Sequence, residues 1–320
     1  MISRTPLPTL SVVSPVYGCA GCLEELVERL KRTLLELGER FEILLVDDGS
    51  PDLAWTRITE LATMHAEVRG LRLSRNFGQH QAIFAGLEHA AGEHIVVMDC
   101  DLQDRPEEIP ALLRAARAGA DIAYGQRVDR RDGIFKRLAS RCFYHALSYL
   151  TGVAYDHRVA NFGVYSRKVV DILLRMPEAE RCFPLMVRWT GMNAVSVPVE
   201  HAERTHGKSA YDLRKSMRLA IGMVLSYSDK PLRLVTKLGM LLSLLAFGVV
   251  GYSVYLYASG KTAVAGYTSI IASIWLLGGV IMFCVGVVGL YVGQMFKDSK
   301  RRPSYLVDRR VNFTAPSADD

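Results

Sequence analysis

Two short acidic clusters carry the chemistry that the residue types of this chain make available. Asp47, Asp48 and Gly49 stand in LLVDDGS directly after an apolar run, and Asp99, Asp101, Gln103 and Asp104 stand in VVMDCDLQD after a second one. Carboxylates two residues apart, just beyond a strand end, can be turned by a loop toward one point. There their oxygens suit a hard divalent cation, and through it a diphosphate. Strand-end aspartates also make turns and cap helices. For Asp47 and Asp48 both roles stay open, whereas Asp99 and Asp101, flanked by Gln103, favour the cation. Other chemistries find less support. Cys19 and Cys22 form a lone C-x-x-C with no second pair to close a zinc site, so they read as ordinary thiols. No H-x-x-x-H helix, Walker loop or Rossmann glycine triplet is present, and His80 and His89 read as surface or packing residues.

The elements that must position these carboxylates follow from periodicity. β-Branched runs at Leu10 to Val16, Phe41 to Asp47, His94 to Asp99 and Asp121 to Tyr124 alternate with helical patterns at Cys22 to Leu37, Leu53 to His65, Gln79 to Ala91 and Glu107 to Ala118. Such alternation predicts an α/β domain with a mixed, mostly parallel sheet and helices on both faces, and ligands at the carboxyl ends of the strands.

Further along the 320 residues the composition changes. No charged side chain occurs from Leu238 to Gly260 or from Thr262 to Phe296, with Lys261 alone between the windows. A helix needs about 20 residues to cross a hydrocarbon core of roughly 30 Å, and the expected spans are 238–257 and 269–294. Arg233 and Lys237 precede the first, and Lys297, Lys300, Arg301 and Arg302 follow the second. The positive-inside rule then places both termini in the cytoplasm of a multi-pass inner-membrane protein. Pro6, Pro8 and Pro15 interrupt the only apolar stretch near the N-terminus, so no signal peptide is expected. The resulting organisation is a cytosolic domain over 1–230, two spans within 231–296, and a basic cytosolic tail over 297–320 whose polar end after Pro303 reads as loosely ordered. Two basic amphipathic segments, 133–150 and 211–229, suit a bilayer surface as interface helices. The net charge of +6 therefore reads as directed to lipid and phosphate. Aromatic and basic residues do not alternate as a nucleic-acid surface would require, so no nucleic-acid partner is expected.

The ordered set SVVSPVYG, VDDGS, LSRNFGQHQAIFAGLEHAAGEHIVVMDCDLQD and GKSAY, followed by two spans, resembles the polyprenyl-phosphate glycosyltransferases. These are family-2 glycosyltransferases of the GT-A fold and include dolichol-phosphate mannose synthases and bacterial undecaprenyl-phosphate sugar transferases. The resemblance implies inverting transfer of a sugar from a nucleotide-sugar, UDP-linked in a bacterial member, to polyprenyl phosphate, with Mg2+ or Mn2+. It places the nucleotide-sugar against Pro15, Tyr17, Asp47, Asp48, Asn76 and Asp99, with Arg75 to Gly78 beside the nucleotide. Asp99 and Asp101 match the metal-binding pair, and Gln103 matches a helper ligand. Acceptor phosphate falls to Arg127, Arg141 and Arg204, with Lys208 and Ser209 nearby, because the guanidinium fork suits phosphate oxygens; solvated or headgroup-facing roles are the alternative for each.

Two departures matter. Gly18 and Cys19 stand where members often carry Asn-Glu, and Asn161 in ANFGVYSRK stands where relatives carry a catalytic aspartate. Asn161 cannot accept a proton, so it is expected to orient a substrate. Asp156 is a nearby fallback base, while the ionised acceptor phosphate lessens the need for one. Relatives also imply self-association through the spans or the tail. A processive polysaccharide synthase is the main competitor, but Leu185 occupies the glutamine position of its Gln-x-x-Arg-Trp motif before Arg188 and Trp189. A non-catalytic scaffold or flippase subunit fits the intact D-x-D poorly.

Overall fold

The computed structural model describes residues 8–127, 159–178, 181–200, 228–260, 267–300 and 302–313. The chain divides into two compact units. The first is built on an eight-stranded sheet: β1 (Leu10–Val16), β2 (Phe41–Asp47), β3 (Val68–Leu73), β4 (His94–Val97), β5 (Ile122–Arg127), β6 (Val159–Ser166), β7 (Ala194–Val199) and β8 (Val307–Val311). Their order is β7-β5-β6-β4-β1-β2-β3-β8. Pairs β1/β2, β1/β4, β2/β3 and β5/β7 are parallel, while β4/β6, β5/β6 and β3/β8 are antiparallel.

Every residue of β1 is buried, including Ser11 and Ser14, as expected for a central strand covered on both faces. Helix α1 (Leu23–Glu36) buries Leu23, Leu26, Val27, Leu30 and Leu34, a single stripe at helical spacing. With α2 (Ala54–Met64) and α4 (Ile109–Arg117) it packs one side of the sheet around Val12, Ile43, Leu45 and Val96. The opposite side takes α3 (Gln79–His89), which sets Ala82 and Ala85 in one cluster with Val46, Leu71 and Leu73. A Cβ on Gly86 would stand 2.3 Å from Val13 Cγ1, so α3 lies close enough to β1 that only hydrogen fits there. This close approach carries the first turn of α3 to the ends of β2 and β4. Helices α5 (Arg167–Arg175) and α6 (Phe183–Trp189) complete the described part of the unit.

Successive strands run outward from β1 to β2 and β3, and the chain then returns to place β4 on the other side of β1. That reversal opens a crevice outside the carboxyl ends of β1 and β4, where ligands bind in sheets of this kind.

The second unit contains α7 (Lys230–Ala258) and α8 (Tyr267–Ser299). At 1.5 Å per residue both exceed the roughly 30 Å hydrocarbon thickness. Their large apolar side chains face outward, with Phe247 77% and Met282 72% exposed, which a core helix of a soluble protein would not tolerate. The helices run beyond the expected spans at each end. Tyr291 Oη donates to Ser228 O at 2.7 Å within this unit.

One sequence expectation is overturned. The tail after Pro303, read as loosely ordered, forms β8 and belongs to the first unit. Tyr305, Val307, Val311 and Phe313 carry a period-two apolar pattern, and Tyr305, Val307 and Phe313 pack on Val46, Leu71, Leu73, Ala82 and Ala85. The charges of Asp308, Arg309 and Arg310, all exposed, masked that pattern. The proposed interface helices at 133–150 and, up to residue 227, at 211–229 lie outside the described residues.

Candidate active site

The two acidic clusters meet at the crevice. Asp47 ends β2 and Asp48 follows it, with Asp48 N donating to Val16 O at 2.9 Å, so the ends of β1 and β2 are tied together. Asp47 is fully buried; its Oδ1 accepts Ser50 N at 2.9 Å, and its Oδ2 takes no hydrogen bond but faces Arg72 Nε at 3.5 Å. Asp48 is also buried, and its two oxygens accept the amides of Phe77 and Gly78 at 2.7 and 2.9 Å. Burial pushes its carboxyl pKa upward, these two amides oppose that, and the neighbouring Asp47 charge adds to the rise. The Asp48 carboxylate thus organises the Arg75–Gly78 loop. Gly49 permits this contact: its φ is +64°, and a Cβ there would lie 2.6 Å from Arg75 C.

Across the crevice, Gln79 Nε2 at the start of α3 donates to Asp99 Oδ1 at 2.6 Å. One short segment, 77–79, therefore holds a carboxylate from each acidic cluster. Asp99 and Asp101 are both part-exposed, and Asp101 Oδ1 accepts Gln103 N at 3.2 Å across a turn in which Leu102 adopts φ +61°. Pro15 is buried at the end of β1, Tyr17 follows with its ring 54% exposed, and Asn76 is exposed on the loop. Pro15, Tyr17, Asp47, Asp48, Asn76, Asp99, Asp101 and Gln103 are in this way brought to one edge of the sheet.

Asn161 lies in β6 and is half-buried. The last pair of the β4/β6 ladder is Val97 with Gly163, so Asn161 stands on β6 two residues beyond it, toward the end of the sheet where Asp99 follows β4. Arg127 is the last residue of β5, paired with Val199 of β7, at the same carboxyl edge. Asp156, Arg141, Arg204, Lys208 and Ser209 lie outside the described residues. Arg188 and Trp189 close α6, with Trp189 72% exposed.

Three thiols adjoin the second acidic cluster. Cys19 Sγ donates to Cys100 O at 3.3 Å. The Cys100 contact and burial push the Cys19 thiol far up, and burial chiefly pushes Cys22 up to about 12, so both are protonated at neutral pH. His80 is a packing residue: burial pushes its pKa down to about 4, and its Nε2 lies 3.9 Å from Cys182 Sγ.

Among the described residues no three His, Cys, Asp or Glu side chains converge into a metal cage. The donor set suits a different arrangement. Two part-exposed carboxylates are what a hexacoordinate hard cation takes from a protein when substrate phosphates and water supply the rest. Gln79 and Arg72, which sequence reasoning passed over, fix Asp99 and Asp47. Their only sequence signal was a polar residue directly after the Gly78 turn and an arginine between two leucines, Leu71 and Leu73.

Comparison with known proteins adds to this geometry. Residues 11–173 match the glycosyl transferase family 2 model, and residues 230–295 match the GtrB C-terminal hairpin. The undecaprenyl-phosphate 4-deoxy-4-formamido-L-arabinose transferase of Klebsiella pneumoniae (strain 342) is 34% identical over 314 residues, covering 97% of this chain and 96% of that protein. The protein of the same name from Pseudomonas aeruginosa (strain LESB58) is 35% identical over 320 residues, covering 98% and 93%. Among solved structures, a mannosyltransferase of Pyrobaculum calidifontis in complex with GDP-Man and Mn2+ is 16% identical with a TM-score of 0.46, covering 93% of this chain and 89% of that one.

Proposed function

Because the chain belongs to glycosyl transferase family 2, we propose that it transfers a sugar, with inversion, from a nucleoside-diphosphate sugar to a polyprenyl phosphate at the cytoplasmic face of a membrane. The observation that carries the donor half is the meeting of Asp47, Asp48, Asp99 and Asp101 at the carboxyl ends of β2 and β4, bridged by the 77–79 segment. The acceptor half is supported by relatives named for transfer to undecaprenyl phosphate and alignable over nearly the whole chain.

In this reading the exposed Tyr17 ring and the Arg75–Gly78 loop hold the nucleotide, and Asp99 and Asp101, with Gln103 beside them, would hold Mg2+ or Mn2+. Such an ion, when bound, offsets the charge of the diphosphate as it leaves. An oxygen of the acceptor phosphate attacks the anomeric carbon in line, the bond from that carbon to the diphosphate oxygen breaks, and the bonding pair departs with the nucleoside diphosphate. The nucleophile is already anionic, so Asn161 serves as a hydrogen-bonding positioner of the acceptor or donor, with Asp156 the fallback base. Arg127, Arg141, Arg204, Lys208 and Ser209 are assigned to the incoming phosphate, since two anions must otherwise approach each other.

Helices α7 and α8 anchor the chain. The return of the chain to the sheet as β8 supports a reading in which it enters α7 and leaves α8 on one side of a bilayer. The basic flanks support the cytoplasm as that side.

The test is a reconstitution. Purified protein, polyprenyl phosphate, Mg2+ or Mn2+ and a panel of labelled nucleotide sugars should yield a lipid-linked monosaccharide. Elongation of a glycan, or equal behaviour of wild type and Asp101→Ala, would overturn the reading.

A further inference from the structure

Strand β8 touches both supports of the loop that holds Asp48. Along β3 it pairs Gly70 with Val311, Leu71 with Arg310 and Arg72 with Arg309, and Ser74 N donates to Leu306 O at 2.9 Å just where the loop begins. Packing at Gly70 is tight, since a Cβ there would stand 2.7 Å from Val311 Cγ1. Asn312 then fastens the entry to β3: its Nδ2 lies 2.6 Å from Ala62 O at the end of α2 and 2.9 Å from Val68 O. The next residue, Phe313, lies under the Arg69 guanidinium at 4.0 Å and meets His89 edge-on at 5.5 Å. Tyr305 reaches Glu88 with its hydroxyl. Glu88 and His89 belong to the last turn of α3, so the single stretch from Tyr305 to Phe313 grips β3 along its length and α3 at its far end.

The Arg75–Gly78 loop is the only connection between β3 and α3. A loop whose two ends are fixed loses conformational freedom before any ligand arrives, which lowers the entropy still to be lost on binding. We propose that the C-terminal strand is a positioning element of the donor site, holding β3 and α3 so that the amides of Phe77 and Gly78 stay directed at Asp48. This rests on the assignment of that loop to the nucleotide. Mere covering of an exposed sheet edge would also explain an eighth strand with outward charges. It would not require the added grip on α3 through Glu88 and His89. As β8 follows α8 in the chain, the donor site is completed only after both long apolar helices have been made.

Full-length protein in detergent, with Asn312→Ala and Phe313→Ala combined, tests this by two readouts. Hydrogen exchange over Ser74–Gly78 should quicken about tenfold or more while β1 and β4 keep their protection, and the Kd for UDP with Mn2+ should rise by about tenfold, or 1.4 kcal/mol. A synthetic peptide of residues 302–313 should partly restore both. Loosening confined to β8 and β3, with exchange at Phe77 and Gly78 and the UDP affinity unchanged, overturns the proposal. If the loop loosens as expected but wild-type protein binds no nucleoside diphosphate, the strand's positioning role stands and the donor assignment falls. Tyr305→Phe, which removes one hydroxyl, supplies the same comparison should the double variant fold poorly.

Discussion

Gly49→Ala is the sharpest perturbation of the candidate site, because its cost can be compared with that of a glycine that differs in one respect. Gly49 and Gly38 both sit in the left-handed region, at φ +64° and +66°, but Gly38 has nothing within 4 Å of an added Cβ. At Gly49 the new atom would meet Arg75 C at 2.6 Å and Asn76 N at 2.7 Å, both backbone atoms that no rotamer change can move. Forcing an L-residue into this conformation costs roughly 1–2 kcal/mol, and that is the whole expectation for Gly38→Ala. Overpacking adds roughly 1–3 kcal/mol at Gly49, so Gly49→Ala should lose about 2–5 kcal/mol, or a melting shift on the order of 4–20 °C for a unit of this size.

Function should follow the same contact. Relief of the clash must move the Arg75–Asn76 peptide, and with it the Phe77 and Gly78 amides that sit 2.7 and 2.9 Å from Asp48. Loss of one hydrogen bond to a charged group is worth about 1.5–3 kcal/mol, which corresponds to a roughly 10- to 150-fold weaker nucleotide Kd. Thermal melts of the two variants beside wild type, and calorimetric titration with UDP and Mn2+, measure both quantities. Equal melting shifts for Gly49→Ala and Gly38→Ala, or a Gly49→Ala protein with unaltered nucleotide affinity, would refute the reasoning.

Asp101→Ala should lower transfer by about 10²–10³-fold, the worth of several kcal/mol of charge stabilisation, and a chelator should abolish transfer until Mg2+ or Mn2+ is restored; labelled-lipid formation reads both. Asn161→Asp should change kcat by well under the ~100-fold that a missing general base would supply, and a large gain in the initial rate would show that a base is wanted after all. Glu107 is held below the usual carboxylate range chiefly by the Arg29 guanidinium, which it meets at 2.7 and 2.9 Å. A carboxyl whose folded pKa is lowered contributes stability above its unfolded pKa near 4.3 and loses it as pH falls through the folded value. Arg29→Ala should therefore flatten the acid limb of the melting-temperature profile below about pH 5, by less than ~1 kcal/mol for so exposed a pair.

Much of this protein could be read from its residues. The acidic clusters, the alternation of strands and helices through residue 118 and the two uncharged windows are local patterns, and local physics suffices for them: burial on both faces makes β1 and β2 predominantly apolar on both faces, and hydrocarbon thickness sets the length of an uncharged helix. Strand β3 escaped because Arg69 and Arg72 interrupt its apolar run; their partners Glu42 and Asp47 lie on β2, distant in sequence. Strand β8 escaped for a related reason, since its charges dominate its composition and its apolar partners on β3 and α3 precede it by more than 200 residues.

The residue types alone determined which chemistry was available: hard oxygen donors after apolar strands and two uncharged stretches long enough to cross a bilayer. Only the tertiary structure decided that Asp48 and Asp99 are held by one segment, that β6, which carries Asn161, pairs with β4, and that the tail returns to the sheet edge. Those facts depend on strand order and register, which arise from non-local pairing and side-chain packing, and no window along the chain contains both partners of such a contact.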